Sequence, residues 1–180
     1  MAVWNFDKTH SSANFSVRHM MVTTVRGSFS DMDGVLNFDP ANPAAASVEA
    51  TIKAASVNTG VADRDNHLRS ADFFDVEKFP TLTFKSTSVK LNDSNSGVVT
   101  GDLTIKDVTR PVTLEVEYLG EQPSPFGDRR VGFSASTKIN REDFGLTWNV
   151  ALETGGVLVS KDIKIELDLQ AVLATETASA

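Results

Sequence analysis

An all-β fold is expected here, a closed barrel or a sandwich of eight or nine antiparallel strands with one short helix. Three observations lead there. First, apolar and polar residues alternate between Val48 and Leu173, as in Val112, Leu114, Val116 and Tyr118 against Thr113, Glu115 and Glu117. Successive strand side chains leave opposite faces, so each such segment is apolar on one side and wet on the other. Second, turn residues punctuate the chain at Asp39-Pro40 through Pro43, Asn92-Asp93-Ser94-Asn95 and Gln122-Pro123-Ser124-Pro125. Third, one stretch, Asn58 to Ser70, drops the period of two and sets Val61, Arg64 and Leu68 at helical spacing. With so little helix to cover them, the strands must bury their apolar faces against each other.

In chain order, strands are expected near residues 2–8, 13–20, 24–38, 46–55, 80–91, 97–106, 110–120, 129–140 and 160–173. In the second, Phe15, Val17 and His19 share one parity. In the eighth, Val131, Phe133 and Ala135 alternate with Gly132, Ser134 and Ser136. In the last, Ile163, Ile165, Leu167 and Leu169 alternate with Lys164, Glu166, Asp168 and Gln170. The helix is expected near residues 59–69, capped by Asn58 or Thr59, with Asp65 and Arg69 as an exposed ion pair. It plugs or lids one end. A brief helical turn is expected near 140–144, and Gly155-Gly156 reads as a turn rather than a phosphate cradle, because a strand follows it. Residues 1–173 form a single domain, and 174–180, small and polar, read as a frayed tail.

Composition removes several functions. A net charge of −7 with no Lys/Arg stripe argues against nucleic acid as partner. The chain has no cysteine, so disulfides, thiolate catalysis and thiolate zinc sites are excluded. His10, His19 and His67 have no metal spacing, so no metal and no cofactor are expected. No segment is apolar enough to span a membrane, and the start, Met-Ala-Val-Trp-Asn, has neither a basic nor an apolar leader region. Cytoplasmic location is the expectation; a leader removed ahead of this start would make it periplasmic or secreted.

Chemistry for catalysis is sparse. No Gly-x-Ser-x-Gly elbow exists, and the carboxylates sit mostly on the polar parity. A binding module therefore outranks an enzyme. The alternative is a hydrolase or isomerase on a lipid-like substrate, with Asp72, Glu153 or His19 as acid or base. Eleven Phe stand beside one Tyr and two Trp. Phe15, Phe29, Phe84 and Phe133 should point inward, while Phe73, Phe74 and Phe79 cluster after the helix and Phe144 and Trp148 after the second turn. These rings either fill a solid core or line a hollow one.

An ordered series of motifs carries a resemblance. It runs Asp7-Lys8-Thr9-His10-Ser11, Phe15-Ser16-Val17-Arg18-His19, Val25-Arg26-Gly27-Ser28-Phe29, then Asp63-Arg64-Asp65-Asn66-His67-Leu68-Arg69-Ser70-Ala71-Asp72-Phe73-Phe74-Asp75. Phe79-Pro80, Phe84-Lys85-Ser86, Gly101-Asp102-Leu103-Thr104-Ile105, Thr109-Arg110-Pro111-Val112 and Ile139-Asn140-Arg141-Glu142-Asp143-Phe144-Gly145 complete it. Over about residues 3–172 the chain resembles the YceI-like family of bacterial polyisoprenoid-binding, lipocalin-like proteins. It departs at Lys106-Asp107-Val108, where the family usually carries a glycine; this bears on turn geometry, not on the interior.

The resemblance implies an extended antiparallel β-barrel of about eight strands around a long apolar channel. The implied function is non-catalytic binding, transport or storage of a long-chain isoprenoid lipid, a polyprenyl phosphate or quinone-like molecule. Expected channel-lining residues are Phe15, Val17, His19, Phe29, Leu68, Phe73, Phe74, Phe84, Leu103, Leu114, Phe133, Phe144 and Trp148. Head-group candidates are Arg64, Arg69 and Arg141, although Arg64 and Arg141 are equally placed to pair with neighbouring acids and brace a lid. A homodimer is raised by the resemblance only.

Overall fold

The computed structural model describes residues 1–150, 152 and 158–174. Its strands are β1 (Val3–Phe6), β2 (Ser12–His19), β3 (Thr23–Phe29), β4 (Met32–Asn37), β5 (Ser47–Lys53), β6 (Val57–Asn58), β7 (Thr81–Leu91), β8 (Ser96–Ile105), β9 (Val108–Pro123), β10 (Arg129–Asn140) and β11 (Asp162–Leu173). Helix α1 spans Ala62–Arg69, and 3₁₀ turns occupy Pro43–Ala45, Ala54–Ser56 and Arg141–Phe144.

All the strand pairings are antiparallel, and the order β1-β4-β5-β7-β8-β9-β10-β11 returns from β11 to β1. The result is a closed barrel of eight staves, as expected. Three staves are interrupted. β2 continues β1 along the same edge of β11, β3 lies in line with β4, and β6 extends β5 past the 3₁₀ turn. The segment expected as one strand over 24–38 is thus two, broken at Ser30-Asp31.

The break between β1 and β2 has a visible cause. Both backbone groups of Gln170 are taken there by residues 7–11: its carbonyl accepts from Asp7 N (2.8 Å) and Ser11 Oγ, and its amide donates to Ser11 Oγ (3.1 Å). Asp7 then accepts from Thr9, His10 and, at 2.5 Å, from Arg130 Nη1 on β10, locking the detour across the barrel wall. These donors, the His10 ring foremost, hold the Asp7 carboxyl well below the usual range despite partial burial.

Beyond Lys53 the sheet opens, because β6 pairs with β3 and not with β7. Helix α1 and the loop after it cover that opening. The helix begins at Ala62, with Val61 as its N-cap and no side-chain cap bond. Asn58 and Thr59 do not cap it. Instead Asp65, buried inside the helix, reaches back to Thr59 N (2.8 Å) and Oγ1 (2.5 Å). The Asp65–Arg69 ion pair expected from their spacing is absent too, since Arg69 donates to the carbonyls of Ala55 and Val57. Tertiary partners outcompete an exposed i,i+4 pair, which contributes only tenths of a kcal/mol. The expected turn at Gly155-Gly156 lies outside the described residues, as does the expected 174–180 tail beyond Ala174, whose own amide donates to Val3 O (2.8 Å).

Candidate functional site

Inside the barrel lies a cavity of about 670 Å³, running from the β7–β8 hairpin (Asp93–Gly97) to α1. That volume falls within the range of ligand sites. Of β10, the stretch from Phe133 to Ile139 lines it; at about 3.3 Å per residue and a tilt near 40° that stretch runs roughly 18 Å along the axis.

Why the lumen stays open is legible in the glycines. The ring of Phe15 lies over Gly27, its directly paired neighbour: a Cβ there would come within 2.9 Å of Phe15 Cε2 and closer still to Cζ. Phe84 lies over Gly101 in the same way, 2.5 Å from where a Cβ would stand. Large rings laid flat on glycine pits line the wall instead of crossing it. Small residues, Ala50 and Ala135, leave further room mid-stave.

The wall is apolar. Among the described residues no fully buried side-chain nitrogen or oxygen lacks a hydrogen-bond partner; the polar side chains on the cavity wall, His19 and Tyr118 among them, are few beside the aliphatics and phenylalanines. Partial burial, assisted by the Glu121 charge, pushes the Tyr118 phenol above its ordinary value. Aromatic clusters mark the two ends. Phe38, Tyr118 and Phe133 meet with centroids 5.2–5.3 Å apart at one end; His67, Phe73 and Trp148 meet at 4.6–5.4 Å at the other.

Of the residues expected on the channel, Phe15, Val17, His19, Phe29, Leu68, Phe73, Phe74, Phe84, Leu103, Leu114, Phe133 and Trp148 lie on the cavity wall. Phe144 does not. It is 2% exposed and packed in the core behind the 3₁₀ turn, because that turn aims Arg141 rather than Phe144 at the lumen. Sequence reasoning left out Phe6, Met32, Phe38, Val89, Val116 and Tyr118, all wall residues. Parity with Leu114 identifies Val116 and Tyr118. Val89 is hidden by the β7 bulge between Ser86 and Ser88, which moves the inward parity from Phe84 to Val89. Phe38 sits beyond a strand end, where no local pattern speaks.

The cationic candidates are engaged elsewhere. Arg141, 2% exposed, donates to four carbonyls: Ser160 (2.8 Å), Leu146 (2.6 Å), Trp148 (3.0 Å) and Val159 (3.0 Å). It pairs with neither Glu142 nor Asp143; it ties the segment after β10 across the mouth, and burial pushes its guanidinium below the ordinary value. Arg69 lies off the cavity and braces the stretch before α1. Arg64 borders the cavity but gives Nε and Nη2 to Thr59. His67 bonds Asp72 at 2.9 Å at the same mouth. Of the acid/base candidates, Asp72 is thus joined to His67 and not to His19, and Glu153 lies outside the described residues. No group of His, Asp or Glu among the described residues is arranged to hold a metal.

Comparison with known proteins agrees with this architecture. The chain is 43% identical over 159 residues to Protein YceI of Escherichia coli O17:K52:H18, covering 88% of this chain and 81% of that one. The crystal structure of Burkholderia cenocepacia BcnA superposes with a TM-score of 0.79 at 26% identity, over 94% of this chain and 99% of that one. A polyisoprenoid binding domain from Saccharophagus degradans shares the fold with a TM-score of 0.68 at 15% identity, over 97% and 100% of the two chains. The YceI-like domain model matches residues 4–171, nearly the whole barrel, and the chain is therefore a member of the YceI-like family.

Proposed function

We propose that this protein binds a long-chain isoprenoid lipid inside the barrel and carries or stores it without chemically altering it. One observation carries the reading: a continuous, predominantly apolar cavity about 670 Å³ in volume, walled by the eight staves and covered at one end by α1 and the loop after it. The named activity of the Saccharophagus domain, which shares the fold, supports it. Each buried CH₂ contributes about 0.8 kcal/mol, so a five-carbon unit grosses roughly 3–4 kcal/mol and two or three units offset the cost of association. Affinity then depends on chain length until the lumen is full, with the head group secondary. Phe suits such a wall because it carries no donor of its own.

The test is native mass spectrometry of delipidated protein titrated with prenyl alcohols of increasing length. One-to-one uptake that strengthens with each added unit and then plateaus is expected. No uptake at any length, or affinity indifferent to length, overturns the reading.

A further inference from the structure

The end of the barrel covered by α1 carries a feature the cargo reading does not use. The β2–β3 turn exposes Met20, Met21 and Val22, the last at 72% exposure. Met20 and Met21 adopt left-handed backbone conformations, φ 52° and 64°, where Asn or Gly is favoured and a larger side chain costs stability. Two long apolar side chains are thus held in water on a conformation that disfavours them.

This tip adjoins the cavity mouth without lining the cavity itself. His19, the residue before it, lines the cavity, and Met20 N donates to the carbonyl of Leu158 (2.8 Å), another wall residue. Leu158 N in turn donates to Val150 O (2.9 Å), and Val150 is exposed as well. On the outer face of the same hairpin, Arg18 and Arg26 stand near each other, since Arg18 pairs with Thr24 and Ser16 with Arg26. Both are exposed, and neither has a carboxylate partner among the described residues. An apolar tip flanked by unpaired arginines, on a chain of net charge −7, complements one kind of surface.

We infer that the β2–β3 turn docks the cavity mouth onto a bilayer bearing anionic head groups, inserting Met20, Met21 and Val22 while Arg18 and Arg26 meet the phosphates. The inference rests on the lipid-binding reading for its purpose: a cargo with negligible water solubility must pass between lumen and membrane at a mouth pressed against the bilayer.

The experiment is flotation of the delipidated protein with vesicles of phosphatidylcholine, with and without 30% phosphatidylglycerol (roughly the anionic fraction that gives a strong surface potential). These vesicles contain no prenyl lipid, so docking and cargo uptake are measured separately. Wild type is expected to float with the anionic vesicles and to be released by salt. Met20→Asn/Met21→Asn, which suits the left-handed turn and should keep or raise the melting temperature, is expected to bind at least tenfold more weakly. Arg18→Gln/Arg26→Gln is expected to lose roughly 25-fold and with it the preference for anionic vesicles, at about fivefold per arginine. Leu119→Ser/Phe126→Ser, two exposed apolar residues on β9 and the β9–β10 turn, should float as wild type does. Docking is overturned if wild type fails to float, if the folded Met variant floats undiminished, or if only the Leu119/Phe126 variant is lost. Prenyl uptake from detergent micelles, measured on the same samples, is expected to survive the Met20/Met21 change; its absence in wild type would count against the cargo reading alone.

Discussion

Gly27→Ala isolates the reason this barrel is hollow. The added methyl stands 2.9 Å from Phe15 Cε2, closer still to Cζ, and 2.9 Å from Thr59 Cγ2, against about 3.5–4.0 Å for carbon atoms in comfortable contact. The ring must therefore lift by about 1 Å or more, and the direction away from the wall is the lumen. With a cavity to enter, the ring changes rotamer at about 0.5–1.5 kcal/mol. That is partly offset by about 0.4–1 kcal/mol from the stiffer unfolded chain. The net change stays within about 1 kcal/mol, or 2–4 °C for a chain of this size. Binding responds far more. A phenyl ring in the channel displaces about one isoprene unit, roughly 3–4 kcal/mol of burial, so affinity for a channel-filling prenyl chain falls on the order of a hundred- to a thousandfold. Thermal unfolding of the delipidated protein and a prenyl titration, run side by side, provide both numbers. Phe15→Leu in the Gly27→Ala background should restore uptake. A loss of more than about 3 kcal/mol with prenyl affinity unchanged would mean the ring has no open lumen to enter, and the account of the cavity would be wrong.

Three further outcomes are expected. Arg141→Lys keeps the charge but cannot reach four carbonyls with a fork of donors; it should destabilise by about 2–4 kcal/mol and weaken the near-ultraviolet circular dichroism of Trp148. A wild-type melt with an intact near-ultraviolet band would refute its role as a tie. Asp7→Asn should cost about 1–3 kcal/mol at pH 7. Because the folded pKa is depressed, that contribution is complete above the ordinary aspartate value of 3.8 and fades as pH falls towards 2. Urea titrations at pH 7, 4 and 2.5 should show the gap between the two proteins closing; a constant gap contradicts the latch. Lys106→Gly, in the two-residue turn joining β8 to β9, should raise stability by about 1 kcal/mol, because Lys106 sits at φ 58° where glycine has no Cβ penalty. A lower melting temperature would count against strain at that turn.

Alternation by itself was enough for the strands, since a period of two is local and each inward parity can be counted residue by residue. It located Phe15, Phe84, Leu114 and Phe133 on the inner face, and the break in period marked α1. The departure at Lys106-Asp107-Val108 was legible only through the family resemblance, and Lys106 does fall in the turn between β8 and β9. What alternation could not decide is where an inward ring lies once inside. Whether Phe15 crosses the lumen or lies on Gly27 depends on a contact between two strands, and the same alternation serves a solid core as well as a hollow one. The charged residues illustrate the same boundary. Asp65 and Arg69 are four apart and read as a pair, yet each is claimed by backbone groups outside the helix, and Arg141 is claimed by four carbonyls from two segments. Periodicity records which side of a strand a residue occupies; the void, and the partners of every buried charge, arise only when distant segments are brought to within a few ångströms.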